Sequence, residues 1–293
     1  MANANGWGDG ASNNNIGWGK GADNAIGWGS VYSVSEAGAT DIIGTPAVDP
    51  DAQAFITAAA ITNPTQQAAI NTLVVDLKGY SIWTKFKAIY PIVGGTASQH
   101  KFNLKDPRDL DVAFRLNFAT GWTHSATGMT PLFTFANTFL IPNSVLSLNS
   151  THISGYVRNN LSVTAPILSA EDATTYNNGL YIWPRWSGGY SVRTNDNTSQ
   201  AGASTDSRGF HITSRTASNS KKYYKNNATI FSLTTASTAL NVSSIYIGSS
   251  RNNTNYSLFE TAFASIGDGL TDTDAANFYT AVQAYQTTLG RQV

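Results

Sequence analysis

A succession of short alternating runs limits the fold before anything else does. Residues 145–149, 152–158, 179–186, 189–194, 208–214, 221–225, 229–234 and 243–248 form short, broadly alternating runs punctuated by Asn, Gly and Ser. Strands at this spacing imply an antiparallel sandwich or barrel. Composition agrees: charged residues are 12%, against about 25% in an average soluble domain. Asn, Ser, Thr and Gly take the polar share and suit turns and strand surfaces. Lys225-Asn226-Asn227-Ala228 sits between two runs and predicts a tight hairpin, since Asn tolerates positive φ. Val112, Phe114, Leu116 and Phe118 alternate with polar or small residues and predict one further half-buried strand, entered from a turn at Asn103-Leu104-Lys105-Asp106-Pro107.

Helical spacing is confined to two places. Asp51 is the expected cap of a short helix carrying Phe55, Ile56, Ala59 and Ala60, and Asn63-Pro64 opens a second in which Ala69, Ile70, Leu73, Val74 and Leu77 form one stripe that ends at Gly79. The other is the C-terminus, where Thr271 or Asp272 caps a helix with Phe278, Val282, Tyr285 and Leu289 on its buried side. Between Tyr80 and Gly95 the chain is aromatic and apolar without a clean period, which leaves helix and strand both open. The expected divisions are an arm and linker over 1–49, a helical hairpin or connector over 50–95, and a sandwich over 96–293 closed by the last helix.

The arm repeats Gly-Trp-Gly at residues 6–8, 17–19 and 27–29, with Ile16 and Ile26 at matching offsets. Units this short and rich in glycine cannot bury their own rings. Trp7, Trp18 and Trp28 therefore read as anchors that dock on another subunit, with Ile16 and Ile26 beside them, or else as incidental rings in a low-complexity leader. A period near ten is too short for solenoid or propeller repeats.

Net charge is zero, so neither nucleic acid nor anionic lipid finds an electrostatic footprint. Cysteine is absent, which excludes disulfides and thiolate metal sites. No charged-then-apolar leader and no long apolar window occurs, so synthesis in a cytoplasm, without a signal peptide or membrane span, is expected. His100, His124, His152 and His211 stand singly, and no metal or cofactor is expected. Asp106, Asp109 and Asp111 cluster in what reads as a solvated turn rather than a calcium site. Only three glutamates exist, Glu36, Glu171 and Glu260, and no strand carries alternating carboxylates, so no catalytic residue is assigned.

One group suits a sugar: Tyr181, Trp183, Trp186 and Tyr190, with Arg208 further along. Aromatic faces can stack on the C–H face of a pyranose, and forked polar groups can pair its hydroxyls. The competing reading is core packing. In a strand Tyr181 and Trp183 share a face that Pro184-Arg185-Trp186 interrupts.

Leu77-Lys78-Gly79 through Trp83, Ile89-Tyr90-Pro91, Val93-Gly94-Gly95 and Asn103 to Pro107 resemble a block in structural proteins of tailed bacteriophages, particularly those infecting Bacteroidetes. The Ile-Gly-Trp-Gly units are similar to leaders of such virion proteins. Phe263 to Asp272 followed by a helix, and the hairpin Tyr223 to Asn227, are similar to concanavalin A-like jelly rolls. The chain has Asn226-Asn227 where that pattern often has Asn-Gly, and it lacks the carboxylates of the glucanase members. The resemblance implies a virion protein, whether head fibre, decoration protein, tail fibre or adaptor, made in the host cytoplasm. It would be held by its arm to capsid, portal or tail subunits and display a lectin-like jelly roll toward host-surface glycan. A symmetric oligomer, most readily a trimer, goes with that role. A free carbohydrate-binding lectin is the alternative, and a glycan depolymerase ranks third.

Overall fold

The computed structural model describes residues 47–172, 177–250 and 255–293. Trp7, Ile16, Trp18, Ile26 and Trp28 lie outside the described residues. Val48–Val293 is one compact unit.

Helix α1 spans Pro50–Ala58, and its cap is Asp49 rather than Asp51: the Asp49 side chain accepts from the Asp51 N–H, and Pro50 takes the first position, where a missing N–H costs nothing. Helix α2 (Pro64–Gly79) is capped by Asn63, and its stripe from Ala69 to Leu77 is buried throughout. The stretch after it resolves into a 3₁₀ turn, Trp83–Lys85, and strand β1, Phe86–Tyr90. A one-turn helix α3, Ala97–His100, follows.

The strand expected over 112–118 does not form. Asp111–Ala113 is a 3₁₀ turn, Phe114 is left-handed at φ 59°, and strand β2 is only Asn117–Phe118. The cause is a buried hub. Asn103, fully enclosed, gives its amide to the Ala113 carbonyl at 3.0 Å and accepts from the Ile89 N–H at 2.9 Å, while the Tyr90 hydroxyl donates to the Phe114 carbonyl. Those bonds curl the backbone and leave Val112 exposed.

Short strands β3 (Trp122–His124), β4 (Met129–Pro131) and β5 (Ala136–Asn137) follow. The run at 145–149 is not a strand either. Pro142 starts a one-turn helix α4, Pro142–Val145, after which Ser147 and Ser150 bridge across a turn. The regular part of the sandwich is β6 (Thr151–Val157), β7 (Leu168–Ala170), β8 (Gly179–Trp186), β9 (Gly189–Asp196), β10 (Gln200–Ala203), β11 (Gly209–Ala217), β12 (Ser220–Lys225) and β13 (Ala228–Leu233). Asn226 and Asn227 both take positive φ in the β12–β13 turn, as their residue type predicts. Strand β14 is short, Tyr246–Ile247, and β15 is Thr261–Gly267. Helix α5, Asp272–Thr288, opens with a capping box between Thr271 and Asp274.

These strands make two antiparallel sheets, a sandwich of mainly β structure. One runs β13-β12-β11-β6-β15-β4-β3 with β1 also on β15, and the other runs β10-β9-β8-β7-β14-β5-β2. Between them lies a core that includes Ile153, Leu168, Ile182, Val192, Ile247 and Ile266. A second core lies on the far face of the eight-stranded sheet, where Tyr156, Phe210, Ile212 and Phe263 meet α1, α2 and α5. The helices of the 50–95 segment thus share a core with the strands, and β1 is part of the sheet itself. Among the described residues the outer face of the seven-stranded sheet carries no helix, and that face holds the candidate site.

Candidate functional site

Strand β8 alternates across its sheet. Leu180 and Ile182 point into the sandwich core, so Tyr181 and Trp183 point outward. Opposite them on β9, Ser191 pairs with Trp183 and Arg193 with Tyr181, while Val192 faces the core. Ser169 of β7 pairs with Tyr181 on the other side. The β8–β9 hairpin closes at Trp186 opposite Gly189, with Ser187 and Gly188 both at positive φ, the geometry of a two-residue primed turn.

This arrangement gathers three rings. Tyr181 and Trp183 have centroids 5.9 Å apart, and Trp186 meets Trp183 edge to face at 5.6 Å. Tyr181 and Trp183 are outward-facing yet only 4% and 8% exposed, whereas Trp186 is 45% exposed. Trp186 is therefore the accessible face, and the other two support it. The Arg193 guanidinium lies 5.3 Å from the Tyr181 ring and donates to Ser199 Oγ at 2.8 Å, and the Tyr181 hydroxyl is 2.6 Å from the same oxygen. Trp183 Nε1 is buried without a hydrogen-bond partner. A buried indole N–H normally finds one.

Two of the expected contacts fall elsewhere. Tyr190 shares the parity of Val192 and faces inward, packing on Tyr223 at 5.2 Å and stacking on Phe231 at 6.2 Å. Arg208 gives its backbone N–H, Nε and Nη2 all to the Asp206 carboxylate. That hydrogen-bonded guanidinium pulls the Asp206 carboxyl down to about 2, against the desolvation that opposes it. Arg193 and Ser199, not singled out in the sequence, supply the polar groups beside the rings. Register shows why: Arg193 is opposite Tyr181 only because the pairing shifts by one residue between Trp183 and Trp186, which the two-residue turn alone would not give.

The remaining titratable groups are structural. His152 and His211 are fully buried. His152 Nδ1 faces the Asp268 carbonyl and so carries the proton, leaving Nε2 to accept from Ser265 at 3.1 Å. A serine and a histidine in contact suggest a nucleophile and base, but both are enclosed between sheet and helices. His211 donates from Nε2 to the Ser207 carbonyl and accepts from the Tyr223 hydroxyl at 2.7 Å. Asp106, Asp109 and Asp111 are ion-paired with Arg108, Lys101 and Arg115. Among the described residues no three His, Asp or Glu side chains group to hold a metal. No helix among them is long and apolar enough to cross a membrane.

No family model and no curated protein matches the chain. Among solved structures it is similar to the botulinum neurotoxin serotype D binding domain, at 9% identity over 67% of this chain and 52% of that one, with a TM-score of 0.45. It is also similar to domain 4 of an extracellular arabinanase from Geobacillus stearothermophilus, solved with arabinotriose, at 14% identity over 66% of this chain and 98% of that one, TM-score 0.41. A third is the Trypanosoma rangeli sialidase, at 7% identity over 73% and 38%, TM-score 0.43. The chain spans about half the length of the toxin binding domain.

Proposed function

We propose that residues 48–293 are a carbohydrate-binding domain that presents Trp186 to a glycan without hydrolysing it. The observation that carries this reading is the three-ring strip on a helix-free sheet face, with an exposed Trp186 held edge-on by Trp183 and polar groups from Arg193 and Ser199 alongside. Rings fixed by their neighbours lose little entropy when a sugar stacks on them. The scarcity of glutamate supports binding over hydrolysis.

The finer reading is a tailed-phage virion protein, held to the particle by the Gly-Trp-Gly segment and turned toward host-surface glycan. It rests on the sequence: three tryptophans at nearly constant spacing in a segment unable to bury them. Mass spectrometry of purified particles against free lysate tests it, because a free lectin would stay in the lysate. For the binding site, Trp186→Ala should weaken glycan binding by about tenfold or more, the loss of one well-buried aromatic contact. Thermal stability should hardly change, since the ring is half exposed. Full affinity in that variant, or release of reducing ends by the wild-type chain, would contradict the reading.

A further inference from the structure

At the far end of the same sheet face, antiparallel register lines up three uncharged side chains. Asn117 of β2 lies opposite Asn137 of β5, and Asn137 lies opposite Tyr246 of β14. Their neighbours Ala136 and Ile247 are in the core and Phe118 packs against it, so Asn117, Asn137 and Tyr246 face out. The Phe135 ring stands edge-on to Tyr246 at 5.4 Å and 84°. None of the four residues belongs to the Trp186 strip.

The polar groups here are fixed but unused. Asn137 Oδ1 accepts from the Phe139 N–H at 2.8 Å, which sets the amide and leaves its NH₂ without a partner among the described residues. Neither the Asn117 amide nor the Tyr246 hydroxyl hydrogen-bonds to a described residue, although Tyr246 is sufficiently buried for its phenol pKa to be raised. The nearby Arg115 is occupied by Asp109 and Asp111. Backbone strain flanks β5: Phe133 and Phe139 stand at φ 53° and 56°. Bulky residues rarely adopt that region, and such strain collects where a site is being shaped. Phe133 is also 69% exposed, so packing does not compensate for its conformation.

We propose that this patch is a second carbohydrate contact, selective for an uncharged sugar. The ring stacks on Tyr246, bounded by Phe135, while vicinal hydroxyls bridge the two asparagine amides. Each amide offers both donors and an acceptor, which matches hydroxyls that do the same. An acidic sugar would meet no free cation among the described residues of the patch.

The test follows the Asn117 and Asn137 side-chain NH₂ resonances of the full chain by NMR. It is titrated with neutral oligosaccharides of glucose, mannose, galactose, xylose and arabinose, and in parallel with a sialic acid trimer. At least one neutral sugar should shift both amides, and the acidic one should not. Asn137→Asp keeps the oxygen that accepts from Phe139 and replaces the free NH₂. It should weaken that binding by about tenfold or more, as should Tyr246→Ala. Trp186→Ala should leave the two amide shifts intact, which separates this contact from the Trp186 reading. Amides unmoved by every neutral sugar, or unchanged affinity in folded Asn137→Asp and Tyr246→Ala chains, would overturn the proposal.

Discussion

Arg291 shows how much of this fold can depend on a side chain that sequence patterning treats as a helix tail. It is 1% exposed, and its guanidinium has no carboxylate partner among the described residues. Nε donates to Gln286 Oε1, Nη1 to the carbonyls of Ile92 and Ala126, and Nη2 to those of Pro91 and Ala262. All five donors are used, joining the end of α5 to β15 and to the segments after β1 and β3. Arg291→Met would remove a donor from each of those oxygens, of which Pro91's keeps the Tyr285 hydroxyl and Ala262's the Gln286 amide, and should cost about 3–5 kcal/mol, less whatever is recovered by no longer burying a charge. Lysine has too few donors to substitute. Urea denaturation reads the loss, and a change below about 1 kcal/mol would show that the carbonyls find other partners.

The buried histidines set a pH dependence. Burial is the main cause that depresses His100 and His211 to about 3 and His152 to about 4, from an ordinary value near 6.5. For His100, the neighbouring His124 and Arg291 push the same way. Below about pH 6.5 the unfolded chain takes up protons that the folded one refuses, so stability is full above that pH and falls as pH drops toward 4. Each such histidine contributes up to about 1.4 kcal/mol per pH unit in that window. The melting temperature should therefore decline steadily from pH 6.5 to 4.5. A flat profile there would mean that the histidines are charged in the folded state or exposed.

At the scale of elements, legibility followed the source of each element's order. Helices α2 and α5 were readable because their caps, Asn63-Pro64 and Thr271 with Asp274, are local in sequence and their stripes face one side. Long strands such as β6, β8 and β11 were readable by alternation. Strands β2 to β5, β7 and β10 were not, because two to four residues hold no period and their pairing depends on partners far away. The false strand at 112–118 has the right alternation, and Asn103 overrides it through bonds no local window contains. The candidate site was half legible. Tyr181 and Trp183 share a face as their spacing implies, whereas Tyr190 turns inward because the register shift between Trp183 and Trp186 reverses the phase that the two-residue turn alone would set. The Asn117–Asn137–Tyr246 row could not have been read, since it unites three strands separated by other elements.

For the whole molecule, the decisive boundary lies just before Asp49. Asp49 caps α1, pairs with Lys78 at 2.7 Å and gives its N–H to Asn71, so the start of the compact unit is held by that residue. Both cores belong to residues after it. Removing residues 1–45 should then leave a domain that melts within a few degrees of the full chain, because the cores and caps formed among the described residues are all kept. On the virion reading proposed above, attachment to particles should fail. Each Trp of the arm offers on the order of 200 Å² to bury, yet ordering glycine-rich chain costs about 1–2 kcal/mol per residue. Three rings alone would not suffice, so backbone pairing with the partner is expected beside them. Extended at about 3.3 Å per residue, the arm could cross several subunits. Trp18→Ala with Trp28→Ala should accordingly lower the copies of this protein on purified particles while leaving the melting temperature unchanged. Undiminished occupancy would place attachment in the folded unit, and a large fall in the melting temperature of the shortened chain would make the arm part of the fold.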